Sequence, residues 1–227
     1  MQRDPYYKVK KKILEDLRLR GFVFSSQVEQ AFMEVDRSLF VPESQRKAAY
    51  QDRPLPIGHG QTISAIHMVL MMIAKDAGNP QPGDHVLEIG TGSGYNAAIL
   101  ARAVDPDLKG EGFVVSIERI ATLAFRAKKA LKNHSVDENV EVIIADGSKG
   151  IAKRELFDLI IVTAAAPSIP PPLLENLKTG GRLIIPVGSK YIQRLVIATK
   201  DEKGKIRQQP DYSVMFVPLI GEYGFEK

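Results

Sequence analysis

The spacing of apolar residues changes along the chain, and the change falls near Asn79 to Gly83. Ahead of it, Val9, Ile13, Leu14 and Leu17 share a helical face, and Ser26 with Glu29 has the form of a capping box before Ala31 and Phe32. A turn-rich stretch follows from Pro42 to Gly60. Ile63 to Ala77 then predicts a Met-rich amphipathic helix whose start is marked by Thr62 and Ser64. Beyond the change, short β-branched runs predict strands at His85–Ile89, Phe113–Glu118, Val140–Ala145, Phe157–Thr163 and Arg182–Val187. Helices fit between them at Asn96–Val104, Ala121–Asn133 and Pro172–Lys178. Such alternation predicts an α/β fold, a doubly wound, mostly parallel sheet with helices on both faces. Gln193–Thr199 and Val214–Leu219, separated by the turn-like Asp201–Gly204, predict an antiparallel edge pair.

A length of 227 residues suits one domain, with residues 1–78 as a helical and loop-rich region and residues 79–227 as the α/β core. Hydrophobic residues at 44% and charged residues at 26% match an ordinary globular protein. No apolar run reaches the roughly 20 residues that cross a bilayer, and Met1 to Lys12 lacks the apolar block of a secretory signal. A cytoplasmic protein is expected, without a membrane partner. The absence of cysteine excludes disulfides, thiolate metal sites and a thiol nucleophile, and no metal is expected. The net charge of +4 is spread among 27 acidic residues, and the cluster of Lys8 with Lys10 to Lys12 reads as a solvated helix face. With no basic stripe carrying interleaved aromatics, nucleic acid is not the expected partner.

The chemistry is expected at the carboxyl ends of the strands, where ligands collect in such sheets. The first core strand runs into Gly90-Thr91-Gly92-Ser93-Gly94, a turn whose glycines let backbone bend sharply and approach a ligand. Nicotinamide and flavin proteins use a related G-x-G-x-x-G. Here the spacing is G-x-G-x-G, and Glu88 stands two places before the first glycine. A carboxylate there repels a pyrophosphate but suits the ammonium and sulfonium of S-adenosylmethionine. Glu88, Gly90, Thr91 and Gly92 are therefore assigned to that methyl donor. Glu118, ending the next strand, either accepts both ribose hydroxyl protons or is an exposed strand-end glutamate. Asp146 with Gly147, ending the third, either accepts the adenine amino proton or makes an ordinary turn.

The segment after the fourth core strand, Thr163-Ala-Ala-Ala-Pro167, lacks the Asn/Asp-Pro-Pro-aromatic arrangement of base and glutamine nitrogen methylation, and carbon methylation of pyrimidines needs a thiolate. Oxygen is the leading acceptor. The stretch Asp52-Arg-Pro-Leu-Pro-Ile-Gly-His-Gly-Gln-Thr-Ile-Ser-Ala-Ile-His-Met68, with Asp146-Gly-Ser-Lys-Gly150, Thr163 to Pro167, Gly180-Gly-Arg-Leu-Ile-Ile-Pro-Val-Gly188 and Phe216-Val-Pro-Leu219, closely resembles the protein-L-isoaspartate O-methyltransferases. One departure is Ile66, where that family usually has proline, which suggests a slightly less rigid loop.

The resemblance implies methyl transfer to the α-carboxylate of L-isoaspartyl residues in damaged proteins and peptides, the ester then closing to a succinimide. It makes Ser64 the catalytic residue, its hydroxyl orienting the substrate carboxylate, although serine is also a preferred helix cap. His67 either contacts the cofactor or packs beside it. His59, Gln61, Thr62 and Ile63 are substrate-side candidates, Thr62 being either a cap or a second hydroxyl. The loop of Pro54, Pro56, Gly58 and Gly60 reads as a lid. A monomer is expected. The rival readings are a methyltransferase acting on RNA or a small carboxylic acid, a nicotinamide-dependent oxidoreductase, and a non-catalytic cofactor-binding module.

Overall fold

The computed structural model describes residues 4–107 and 109–226, so the start of the basic N-terminal stretch lies outside it. Two helices, α1 (Tyr7–Leu19) and α2 (Ser26–Glu34), lead into short 3-10 turns at Arg37–Phe40 and Glu43–Ala48. A small antiparallel hairpin, β1 (Leu55–Gly58) and β2 (Gln61–Ile63), precedes α3 (Ile66–Met72). The core then follows as β3 (His85–Ile89), α4 (Tyr95–Val104), β4 (Phe113–Glu118), α5 (Ala121–Asn133), β5 (Val140–Ile144), β6 (Phe157–Val162), α6 (Pro171–Asn176), β7 (Leu177–Gly188), β8 (Gln193–Lys200) and β9 (Ile206–Val214).

The main sheet has the order β5-β4-β3-β6-β7-β8-β9. The first five of these are parallel, while β8 and β9 add antiparallel to β7. The central strands are mostly apolar because both faces are covered, with Glu88, Ser116 and Glu118 as buried polar exceptions. Leu159 and Ile161 of β6 face the core shared with α1 to α5, whereas Ile160 and Val162 face the one shared with α6. The chain leaves β3 toward β4 and β5, then returns to the other side of β3 with β6. That reversal opens a crevice at the carboxyl ends of the strands.

Three sequence expectations need correction. The helix expected over Ile63–Ala77 is only α3, because Gln61–Ile63 pairs with Leu55–Gly58 through a tight turn at His59 and Gly60, both at positive φ. The predicted edge strand at Val214–Leu219 ends at Val214, and β9 is built instead from polar Ile206–Val214. An edge strand with little burial lacks an apolar alternation and tolerates Pro210, so its pattern was silent. The expected capping box also fails. Ser25 holds the cap position of α2 without a side-chain bond, and Glu29 pairs with Arg18. Ile66, the departure from the resembled family, is the first residue of α3 and fully buried, a position where proline is ordinarily favoured.

Candidate active site

The crevice holds an open cleft of about 1040 Å³, its mouth included, between the glycine turn, the β2–α3 junction and a chain segment at Val217–Ile220. Gly90 has φ +98, and a Cβ there would lie 2.4 Å from Thr163 Oγ1. Only glycine fits, because the Thr163 hydroxyl donates to the carbonyls of Ile89 and Gly90 at 3.0 and 2.7 Å and ties the turn to β6. Gly147 lines the same wall, and a Cβ on it would meet Ile89 Cγ2 at 2.5 Å.

Acidic side chains organise the turn from behind. Glu118 lines the cleft, its two oxygens accepting the N–H groups of Gly92 and Ile120 at 2.9 and 2.8 Å. Glu88 is fully buried and lies outside the lining. It accepts from Asn96 Nδ2 at 2.8 Å and from the Ser116 hydroxyl, which in turn meets Thr91 Oγ1 at 2.6 Å. Burial pushes the Glu88 carboxyl up to about 7, against the pull of the Ser116 and Asn96 donors. Asn96 stands between Glu88 and the cleft, and its Oδ1 is buried without a partner.

On the opposite wall, Gln61, Thr62, Ile63 and Ser64 all line the cleft. Ser64 does not cap α3, because Ala65 holds that position; its hydroxyl makes no hydrogen bond among the described residues, while its carbonyl accepts from Arg37. The third wall comes from beyond β9. Ala165 N–H donates to Val217 O at 2.8 Å, and Leu219 N–H donates to Ala165 O at 2.7 Å. Gln193 brackets Phe216, accepting from its N–H at 2.7 Å and donating to its carbonyl at 3.1 Å.

The sequence candidates thus divide. Gly90, Thr91, Gly92, Glu118, Gly147, Gln61, Thr62, Ile63 and Ser64 line the cleft together, whereas Glu88, Asp146, His67 and His59 do not. Asp146 accepts from Ser148 N–H and from Glu222 N–H at 2.9 and 2.8 Å, so it fastens the segment after Ile220. Burial tends to raise its carboxyl, but the donors from Glu222 and Ser148 outweigh it and hold it low. His67 donates its N–H to Asp52 at 2.9 Å and sets its ring Nδ1 against the same carboxylate. His59 sits at the hairpin tip with its ring on Thr122. Tyr95, Asn96, Thr163 and Val217–Ile220 line the cleft as well, beyond the candidates assigned from sequence. For Tyr95 and Asn96 the signal is their place at the start of the helix after the glycine turn, for Thr163 its position after the fourth core strand together with family likeness, and for Val217 family likeness alone. Among the described residues no three His, Asp or Glu side chains gather to hold a metal, and no helix is long and apolar enough to cross a membrane.

Comparison with known proteins gives this geometry a lineage. The family model described as protein-L-isoaspartate(D-aspartate) O-methyltransferase matches residues 8–224. The chain belongs to this family. Curated relatives named protein-L-isoaspartate O-methyltransferase include one from Pyrococcus horikoshii, 47% identical with all of both chains covered. Another, from Archaeoglobus fulgidus and named protein-L-isoaspartate O-methyltransferase 2, is 50% identical with 97% of each chain covered. A solved structure from Plasmodium falciparum, described as a putative family member in complex with S-adenosyl-L-homocysteine, matches with a TM-score of 0.80 at 30% identity, covering 93% of this chain and 98% of that one. The matched residues include both the hairpin and the Val217–Ile220 segment.

Proposed function

We propose that the chain transfers a methyl group from S-adenosylmethionine to the α-carboxylate of L-isoaspartyl residues in damaged proteins and peptides, beginning repair through a succinimide. The observation that carries this reading is that Gln61–Ser64 and the glycine turn face one cleft. The residues fit the donor. Gly90 and Gly147 leave backbone where any Cβ would clash, and Asn96 Oδ1 is a buried acceptor lacking a proton to receive. When bound, S-adenosylmethionine supplies an electrophilic methyl whose carbon–sulfur bond breaks as the carbon–oxygen bond forms, leaving a neutral thioether and a neutral ester.

The protein's own work is therefore positional. Glu118 holds the Gly92 amide and shapes the floor of the donor end. Asn96, braced by Glu88, offers Oδ1 to the donor's ammonium group, so Glu88 acts through Asn96. Ser64 and Thr62 offer hydroxyls to the acceptor carboxylate, which is ionised at neutral pH and needs no general base. Because opposite charges disappear on transfer, a cleft that excludes water favours the step. Holding the two groups in line supplies roughly 7 to 11 kcal/mol in favourable systems. The enzyme acts as a cytoplasmic monomer of one domain, without nucleic acid.

The test is transfer of labelled methyl to a peptide with one L-isoaspartyl residue and to its L-aspartyl twin. Base-labile label on the first alone is expected. Cofactor binding without label on either, with label on RNA or a free acid, would replace this reading.

A further inference from the structure

We propose that Arg37 is a positioning residue for the methyl acceptor, an unneutralised cation one hydrogen bond behind Ser64 that fixes this wall and biases the acceptor end toward an anion. The proposal rests on the reading that the acceptor is a carboxylate. Arg37 is fully buried on the 3-10 turn Arg37–Phe40. Its Nε donates to Ala49 O and its Nη2 to Ser64 O, each at 2.7 Å, and its Nη1 has no partner. The guanidinium carbon lies 5.0 Å from the ring centroid of Tyr95, which lines the cleft and whose own hydroxyl is buried without a partner.

A buried guanidinium ordinarily takes a carboxylate partner, because leaving its charge uncompensated is expensive. Two acids are near in sequence or space, and both are engaged elsewhere. Asp36 accepts from Ser38 N–H and the Tyr50 hydroxyl, and Asp52 accepts from His67. Among the described residues Arg37 makes no ion pair. Burial lowers the pKa of the guanidinium, with Tyr95, Tyr50 and Asp52 opposing, yet arginine stays protonated in proteins. The charge is met by the carbonyls of Ala49 and Ser64 and by the Tyr95 ring, the last two belonging to residues that line the cleft. An anionic ligand at that wall adds to the partial compensation that Asp52 supplies without an ion pair. A neutral ligand of the same shape does not.

The experiment compares binding of two peptides to the full chain saturated with S-adenosylhomocysteine. One carries an L-isoaspartyl residue, the other its α-carboxamide isostere. Wild type is expected to prefer the acid by about tenfold or more. Arg37→Met should lose that preference, acid binding weakening by about tenfold more than amide binding, and Arg37→Lys should restore part of it. Equal weakening of both peptides in Arg37→Met, with the preference intact, would overturn the proposal and leave Arg37 a structural residue. If Arg37→Met does not fold, Arg37→Lys decides, since its retained charge must retain the preference. A wild type that discriminates and methylates the acid while Arg37→Met discriminates equally sinks this inference alone. A wild type that neither discriminates nor methylates the acid sinks the carboxylate reading as well.

Discussion

The donor end of the cleft is built around one contiguous run, a strand, a glycine turn and the helix after it, with Glu118 and Gly147 added from neighbouring strand ends, whereas the acceptor end joins Gln61–Ser64 to Val217–Ile220, segments far apart in the chain that meet only in the fold. The donor end is held by sterics and buried acids, with Glu88, Ser116, Thr91 and Asn96 forming one chain of hydrogen bonds. The acceptor end hangs on a few bonds, from Arg37 to Ser64, from Ala165 to Val217 and Leu219, and from Glu222 to Asp146. A change at the first should therefore damage the scaffold and the cofactor site together. A change at the second should alter catalysis and leave the fold standing.

The largest effect is expected at Gly90. Gly90→Val places side-chain atoms against Thr163 in a conformation disfavoured for any L-residue, and S-adenosylhomocysteine affinity measured by calorimetry should fall by roughly a hundredfold or more. Binding within threefold of wild type would break the claim that the donor end is sterically fixed. Ser64→Ala should lower kcat by about 10² to 10³, the scale of a lost transition-state donor, without moving the cofactor's affinity or the melting temperature. An equal loss in cofactor affinity would erase the distinction between the two ends.

Glu88 sharpens the comparison through pH. Its folded pKa, about 7 against an ordinary 4.5, means that the folded state holds the proton more tightly than the unfolded chain. The stability this group contributes is full below about pH 4.5 and is lost as pH rises through 7. Glu88→Gln should therefore flatten the fall in stability between pH 5 and pH 8 by up to about 3 kcal/mol, read from denaturant melts. A wild-type and a variant profile of identical slope would show that Glu88 does not titrate there. A smaller change is expected from Asp146→Asn. Exchange of the Glu222 amide with deuterium should quicken by about tenfold, with a modest rise in peptide KM. Unaltered exchange with weaker adenosine binding would return Asp146 to the adenine role. His59→Ala should alter neither end by more than about twofold in kcat/KM, since exposed hydrogen bonds of its kind with Thr122 contribute little.

The two ends also differed in how far the sequence disclosed them. Strands β3 to β6 follow short runs rich in β-branched residues, and the glycine turn announces itself within nine residues from Val86 to Gly94, so local pattern suffices. It does not reveal that Glu88 lies beneath the turn, because a strand's two faces look alike when both are buried. Family likeness brought Ser64 forward where periodicity assigned it to a helix. Pattern misleads beyond Val214, because Val217 and Leu219 wall the cleft rather than extend β9. Arg37 gave no signal, since a charged residue in a short turn is ordinarily solvated, and only tertiary packing shows it buried against Ser64.

The position of Val217–Ile220 after all the strands has a consequence for synthesis. Domains fold as units, and the glycine turn with its flanking strands leaves the ribosome well before the segment that completes the acceptor wall. The last part of the described chain to be made therefore closes the cleft, which is complete once Ala165 is bonded to Val217 and Leu219.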